Sequence, residues 1–191
     1  MTITQANPSQ APFIARLIMQ AMDYDCCQYF AGPDHTLADF ERMMTTLVAA
    51  DDSQYSYRNT LVAIDDDTDN RVVGICVSYD GKDLRRLRRA FIAAALATFG
   101  RDYSDIDDET QAGELYVDSL AVDVDYRRRG IARQLLEATK QKAQNIGIPK
   151  VGLLVDKSNP NAERLYASCG FAFVADSAWG GHPMKHLQCT V

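Results

Sequence analysis

Between Leu120 and Arg133 the chain changes its periodicity within a few residues, and this change limits the possible folds more than any other feature. A strand-like run from Glu114 to Val122 passes through Asp123-Val124-Asp125-Tyr126-Arg127-Arg128-Arg129 to Gly130, and from Gly130 to about Asn145 the pattern is helical. A strand that turns directly into a helix sets the helix's unpartnered first N–H groups and the positive end of its dipole at the end of the strand, where a pyrophosphate can accept several hydrogen bonds. Gly130 lets such a group approach without a side chain in the way, and Arg127, Arg128, Arg129, Ile131, Ala132 and Arg133 complete the turn. Three arginines before a helix also fit a solvated loop, so the strand–turn–helix context has to decide between the two readings.

The remainder reads as a mixed α/β chain. Met1 to Ala6 suggests a short strand, Pro8 opens a helix ending near Asp23, and Thr36 with Asp39 caps a second helix through Leu47. Thr60–Ile64 and Val72–Tyr79 flank the turn-forming Asp65–Asn70 segment as a hairpin. Leu84, Leu87, Phe91, Ala94 and Ala95 keep a helical period to about Phe99, with Gly100 at its stop and with Arg85, Arg86, Arg88 and Arg89 expected on an outer charged face, or else covering a cleft or reaching a ligand phosphate. Asp102 to Glu109 reads as a solvated acidic loop, or as one whose field attracts a cationic ligand. Val151–Val155 is a short strand, Asn161–Cys169 a helix, and Phe171–Val174 and Met184–Leu187 are closing strands around Gly180-Gly181. One domain over residues 1–191 accommodates all of this.

Composition excludes several functions. A net charge of -6 and a pI near 5.0 leave no broad basic face for nucleic acid. The most apolar stretch, Ala90 to Phe99, is about half the roughly 20 residues that span a bilayer. Cys26, Cys27, Cys76, Cys169 and Cys189 are odd in number and contain no CxxC pair, which suggests reduced thiols in a cytoplasmic protein without a metal. Asp65, Asp67, Asp69 and Asn70 lack the glycine and the bidentate glutamate of a calcium loop. No GxGxxG turn follows the first strand, which argues against a dinucleotide oxidoreductase.

Arg127-Arg128-Arg129-Gly130-Ile131-Ala132 resembles the signature of the GNAT family of N-acetyltransferases: Gln or Arg, two residues, Gly, one residue, then Gly or Ala. Asn159-Pro160-Asn161-Ala162-Glu163-Arg164-Leu165-Tyr166-Ala167-Ser168-Cys169-Gly170-Phe171 is similar to the family's Asn-x-x-Ala-x-x-Leu-Tyr-x-x-x-Gly-Phe segment. The resemblance implies a mostly antiparallel central sheet flanked by helices, with the helix at 84–99 inserted ahead of the coenzyme-binding strand. It implies an acetyl-CoA-dependent N-acetyltransferase in which an amine attacks the thioester directly through a tetrahedral intermediate. The acceptor would be a small-molecule, peptide or protein amine. A homodimer is compatible.

The roles implied for individual residues follow the same motifs. Leu120, Ala121 and Val122 resemble the strand whose backbone pairs with the pantetheine arm and which splays from its neighbour. N–H groups near Val122 resemble the oxyanion donor, Asn159 the pantetheine contact or a helix cap, and Tyr166 the general acid facing the coenzyme sulfur. Strand alternation sets Glu114, Tyr116 and Asp118 on one face, and Asp118 and Glu114 are the candidate bases. Tyr116 stands where many family members carry a glutamate, which keeps a non-catalytic acyl-CoA sensor as the alternative function.

Overall fold

The computed structural model describes residues 1–68 and 70–191, so the expectation at Asp69 lies outside the described residues. Seven strands form one sheet: β1 (Thr2–Gln5), β2 (Thr60–Asp65), β3 (Arg71–Asp80), β4 (Leu115–Val122), β5 (Lys150–Asp156), β6 (Ala172–Trp179) and β7 (His182–Thr190). Their order is β1-β2-β3-β4-β5-β7-β6, and all neighbours are antiparallel except β4 and β5. Six α-helices and four one-turn 3-10 helices complete the described elements, the α-helices being α1 (Ala11–Met22), α2 (Tyr24–Ala31), α3 (Leu37–Ala49), α4 (Leu84–Phe99), α5 (Ile131–Asn145) and α6 (Pro160–Ser168).

The alternation of β3, reset by a bulge at Val73, builds a core on each face of the sheet. Val72, Ile75 and Val77 pack with Ile14, Ile18, Phe40, Met44 and Phe91 of α1, α3 and α4, while Val73 and Cys76 pack with Leu135 and Leu136 of α5. Successive side chains of a strand point to opposite faces, so one strand buried on both sides needs the apolar run seen here. The α3 start is the expected capping box, with Thr36 accepting from the Asp39 N–H and the Asp39 carboxylate accepting from the Thr36 N–H.

Two sequence expectations change. Asp23 adopts a φ of 75° and its carboxylate caps α2 through the Asp25 N–H, so the stretch before β2 holds three α-helices where the sequence suggested two. On α4, Arg88 is not on the outer face: Leu84, Leu87, Arg88, Phe91, Ala95 and Phe99 are all buried, at helical spacing that includes the arginine.

Glu114, immediately before β4, fixes the junction of β4 and β5. Its Oε2 accepts from Gln188 Nε2 and pairs with His186 Nε2, both at 2.8 Å, and its Oε1 accepts from Thr110 at 2.6 Å. Burial pushes this carboxyl up, but the hydrogen bonds from His186, Thr110 and Gln188 outweigh it and hold it below the usual range. The carboxylate lies directly over Gly152, where a Cβ would stand 1.7 Å from Oε2. Gly152→Ala is therefore expected to lower stability by about 1–3 kcal/mol, the usual cost of overpacking; a chemical-denaturation midpoint equal to that of the unmodified protein would refute this.

Candidate active site

The parallel pairing of β4 with β5 covers only Leu115–Val151, Tyr116–Gly152 and Val117–Leu153, although β4 continues to Val122 and β5 to Asp156. Beyond Val117 the two strands part and leave their facing edges free. The register with β3 shifts at the same point: Val77 opposes Ser119 and Ser78 opposes Val117, which makes Asp118 the extra residue of a β-bulge. Bulges bend the strand and re-aim a side chain, and here the carboxylate of Asp118 faces a cleft.

At the far end of β4, Arg128 (φ 63°) and Gly130 (φ 78°) take left-handed conformations and lead into α5, whose N-terminus has no side-chain cap. A Cβ at Gly130 would meet no atom within 4 Å, so the strain of substitution there comes from the backbone while the space above remains open. The neighbouring arginines brace the turn. Arg127 Nε donates to the Val122 carbonyl at 3.2 Å, Arg129 donates to the Asp125 carbonyl at 2.9 Å and lies 4.8 Å above the Tyr126 ring, and Arg133 ties α5 to Ser168 of α6. Ile131 is buried, and Ala132 is half-buried against the same core.

The cleft between the parted strands and α1, α2 and α6 has a volume of about 570 Å³ and is lined in part by Tyr116, Asp118, Ser119, Leu120, Asn159 and Tyr166. Asn159 caps α6 by accepting from the Ala162 N–H at 3.1 Å. Tyr166 packs edge-on against Phe171, and its hydroxyl makes no hydrogen bond among the described residues. Burial holds its phenol far above the ordinary range, so it stays protonated at any physiological pH. Ala121 and Val122 turn into the two cores and do not line the cleft, so only their backbone could serve a ligand. Glu114 does not line it either, being held in the network above Gly152.

A second carboxylate joins Asp118. Glu109, 8% exposed, also lines the cleft, and the Tyr79 hydroxyl reaches Glu109 Oε1 at 3.0 Å and Asp118 Oδ2 at 3.1 Å. Gln54 Nε2 donates to Asp118 Oδ2 at 3.1 Å, Ser119 donates to Asp118 Oδ1 at 2.8 Å, and Arg88 Nη2 stands 3.2 Å from Glu109 Oε2. Burial, and then the neighbouring Asp118, push Glu109 up to about 7 despite Arg88; burial likewise raises Asp118. Two carboxyls sharing one buried site keep a proton between them well above the ordinary carboxylate range.

Residues 24–171 match the Acetyltransferase (GNAT) family. The chain belongs to this family. Among GNAT structures, a crystal structure of an acetyltransferase superposes over all of both chains at 28% identity and a TM-score of 0.81. An N-acetyltransferase from Staphylococcus aureus Mu50, 24% identical over 98% of this chain and 100% of that one, has the same fold with a TM-score of 0.78. The curated relatives match a shorter stretch. GCN5-related N-acetyltransferase 4, chloroplastic, of Arabidopsis thaliana is 36% identical over 63 residues, 33% of this chain and 22% of that protein. Mycothiol acetyltransferase of Nocardiopsis dassonvillei is 38% identical over 71 residues, 37% of this chain and 21% of that protein. The match thus spans about a fifth of the length of each curated relative. The mixed, mostly antiparallel GNAT sheet with α4 inserted before β4 is the architecture that the sequence motifs imply.

Glu109 is the site residue that sequence reading leaves in a solvated loop. Its signal lies on another element: Arg88 falls on the apolar stripe of α4, and a buried arginine needs a buried acid nearby.

Proposed function

We propose that this chain is an N-acetyltransferase that moves an acetyl group from acetyl-CoA to an amine held at Glu109 and Asp118. The observation that carries the proposal is the juxtaposition of an uncapped helix N-terminus at Gly130, the free edge of β4, and Tyr166 with an unpartnered hydroxyl in the same cleft as two buried carboxyls. The chain suits the coenzyme: the N–H groups at the start of α5 fit its pyrophosphate, and the open edge at Leu120–Val122 fits pairing with an amide-bearing arm in the manner of an added strand.

Bound acetyl-CoA supplies an activated acetyl carbonyl and a thiolate leaving group. The carboxyl pair takes the proton that the amine loses as its nitrogen bonds to that carbonyl carbon. Backbone N–H groups near Val122 steady the oxyanion. Tyr166 returns a proton to the departing sulfur, and Asn159 orders the loop ahead of α6. A coenzyme sensor without turnover has no use for a proton acceptor in the cleft, so the Glu109–Asp118 pair favours the enzyme reading.

Calorimetric titration with acetyl-CoA tests the donor assignment. Saturable binding is expected, and Gly130→Leu should weaken it at least about tenfold, roughly 1.4 kcal/mol, by closing the space above the turn. A melting curve recorded in parallel separates this loss from backbone strain. Absence of binding by the unmodified protein refutes the proposal.

A further inference from the structure

The reacting cleft does not end at Glu109. A groove of about 750 Å³ continues from it, sharing Asp25, Cys26, Trp179 and His182 as walls. Asp23, Asp25 and Asp118 line the cleft, and Asp102, Asp105 and Asp107 line the groove. None of these six carboxylates has an ion-pair partner among the described residues. Most acids on the rest of the molecule are paired, as Asp51 is with Arg58, Asp123 with Arg71 and Glu163 with Lys185. Unpaired negative charge is therefore concentrated along one continuous concavity.

Among the described residues that line the two spaces, Arg101 is the one Arg or Lys, against six Asp residues without an ion-pair partner. Arg101 donates from Nε to the Tyr103 hydroxyl at 2.6 Å and lies 5.7 Å from the ring centres of both Tyr29 and Tyr103. Those rings thus already carry a guanidinium, the arrangement in which aromatic faces attract cations. The indole Nε1 of Trp179, at the junction of the two spaces, is buried without a partner among the described residues.

Resting on the acetyltransferase reading, we infer that the acceptor is a small aliphatic diamine or polyamine: one nitrogen reacts at Glu109 and Asp118, and a second ammonium lies in the acidic aromatic groove. An anionic or neutral amine gains nothing from Asp23, Asp25, Asp102, Asp105 and Asp107 beside a carboxyl pair that shares a proton. A monoamine compensates only the inner end, whereas a dication relieves the mutual repulsion at both. The two volumes fall in the range of small-molecule sites, about 300–1,000 Å³, which favours a metabolite-sized ligand over a protein tail.

The test is calorimetric titration of the coenzyme A complex with 1,5-diaminopentane and with n-pentylamine, repeated on Asp25→Asn and Asp105→Asn, alongside acetyl transfer to both amines. The diamine is expected to bind about tenfold more tightly than the monoamine. Each substitution should reduce that ratio by about threefold, the scale of an exposed ion pair, and salt should weaken diamine binding further. Equal affinities, a ratio unmoved by both substitutions, or stronger binding of a peptide amine would overturn the inference. Transfer to pentylamine without any diamine preference overturns it while leaving the enzyme reading intact; selective diamine binding without transfer to any amine overturns the enzyme reading and with it the diamine's role as acceptor.

Discussion

The double variant Glu109→Gln, Asp118→Asn should lose about 10²–10⁴-fold in kcat, the usual contribution of a positioned proton acceptor, while its affinity for acetyl-CoA stays within error of the unmodified protein. Both replacements preserve shape, and Tyr79 and Gln54 still have oxygen atoms within reach. The pH profile supplies a second readout. Burial and the adjacent Asp118 lift Glu109 to about 7, so below that pH the pair already holds a proton and is a weaker base toward the amine. The rate in the unmodified protein should therefore rise with pH and level off above about 7, and the variant should lack that inflection. A variant that keeps both the rate and the inflection would show that the proton leaves by another route.

Tyr166→Phe is the second large effect. Its hydroxyl donates to nothing among the described residues, so removing it should leave the melting temperature almost unchanged; its phenol stays protonated throughout the working range because burial raises it so far. Those two properties suit a group whose task is to give up a proton only to a departing thiolate. We expect kcat to fall by about 10²-fold or more, within the range for general acids, with coenzyme Kd unchanged. Loss confined to stability, with kcat intact, would reduce Tyr166 to an aromatic packed on Phe171.

The sequence motifs that open α5 and α6 carried the fold because each reports a local necessity: glycine at a left-handed turn, and an asparagine at a cap. Other elements left weaker traces. Helix α2 has eight residues, of which only Cys27, Phe30 and Ala31 are buried, so its apolar stripe is too short to announce itself. Strand β6 was expected at Phe171–Val174 but runs from Ala172 to Trp179; six of its eight residues are exposed, and backbone pairing with β7 holds it without any alternation to read. The bulge at Asp118 is equally silent in the sequence, since it arises from the register between two strands. Glu109 is legible only through Arg88, on a helix more than twenty positions earlier, because a long-range ion pair is written in two places at once.

The three residue pairs between β4 and β5 have a mechanical consequence. They join two antiparallel blocks, β1 to β4 and β5 to β7, through a short seam, while helix α5 lies across both, touching β2 and β3 on one side and β5 on the other. Helix α5 therefore acts as a splint over a hinge. Because this splint begins just after Gly130, the turn that opens it is tied to both halves of the sheet at once.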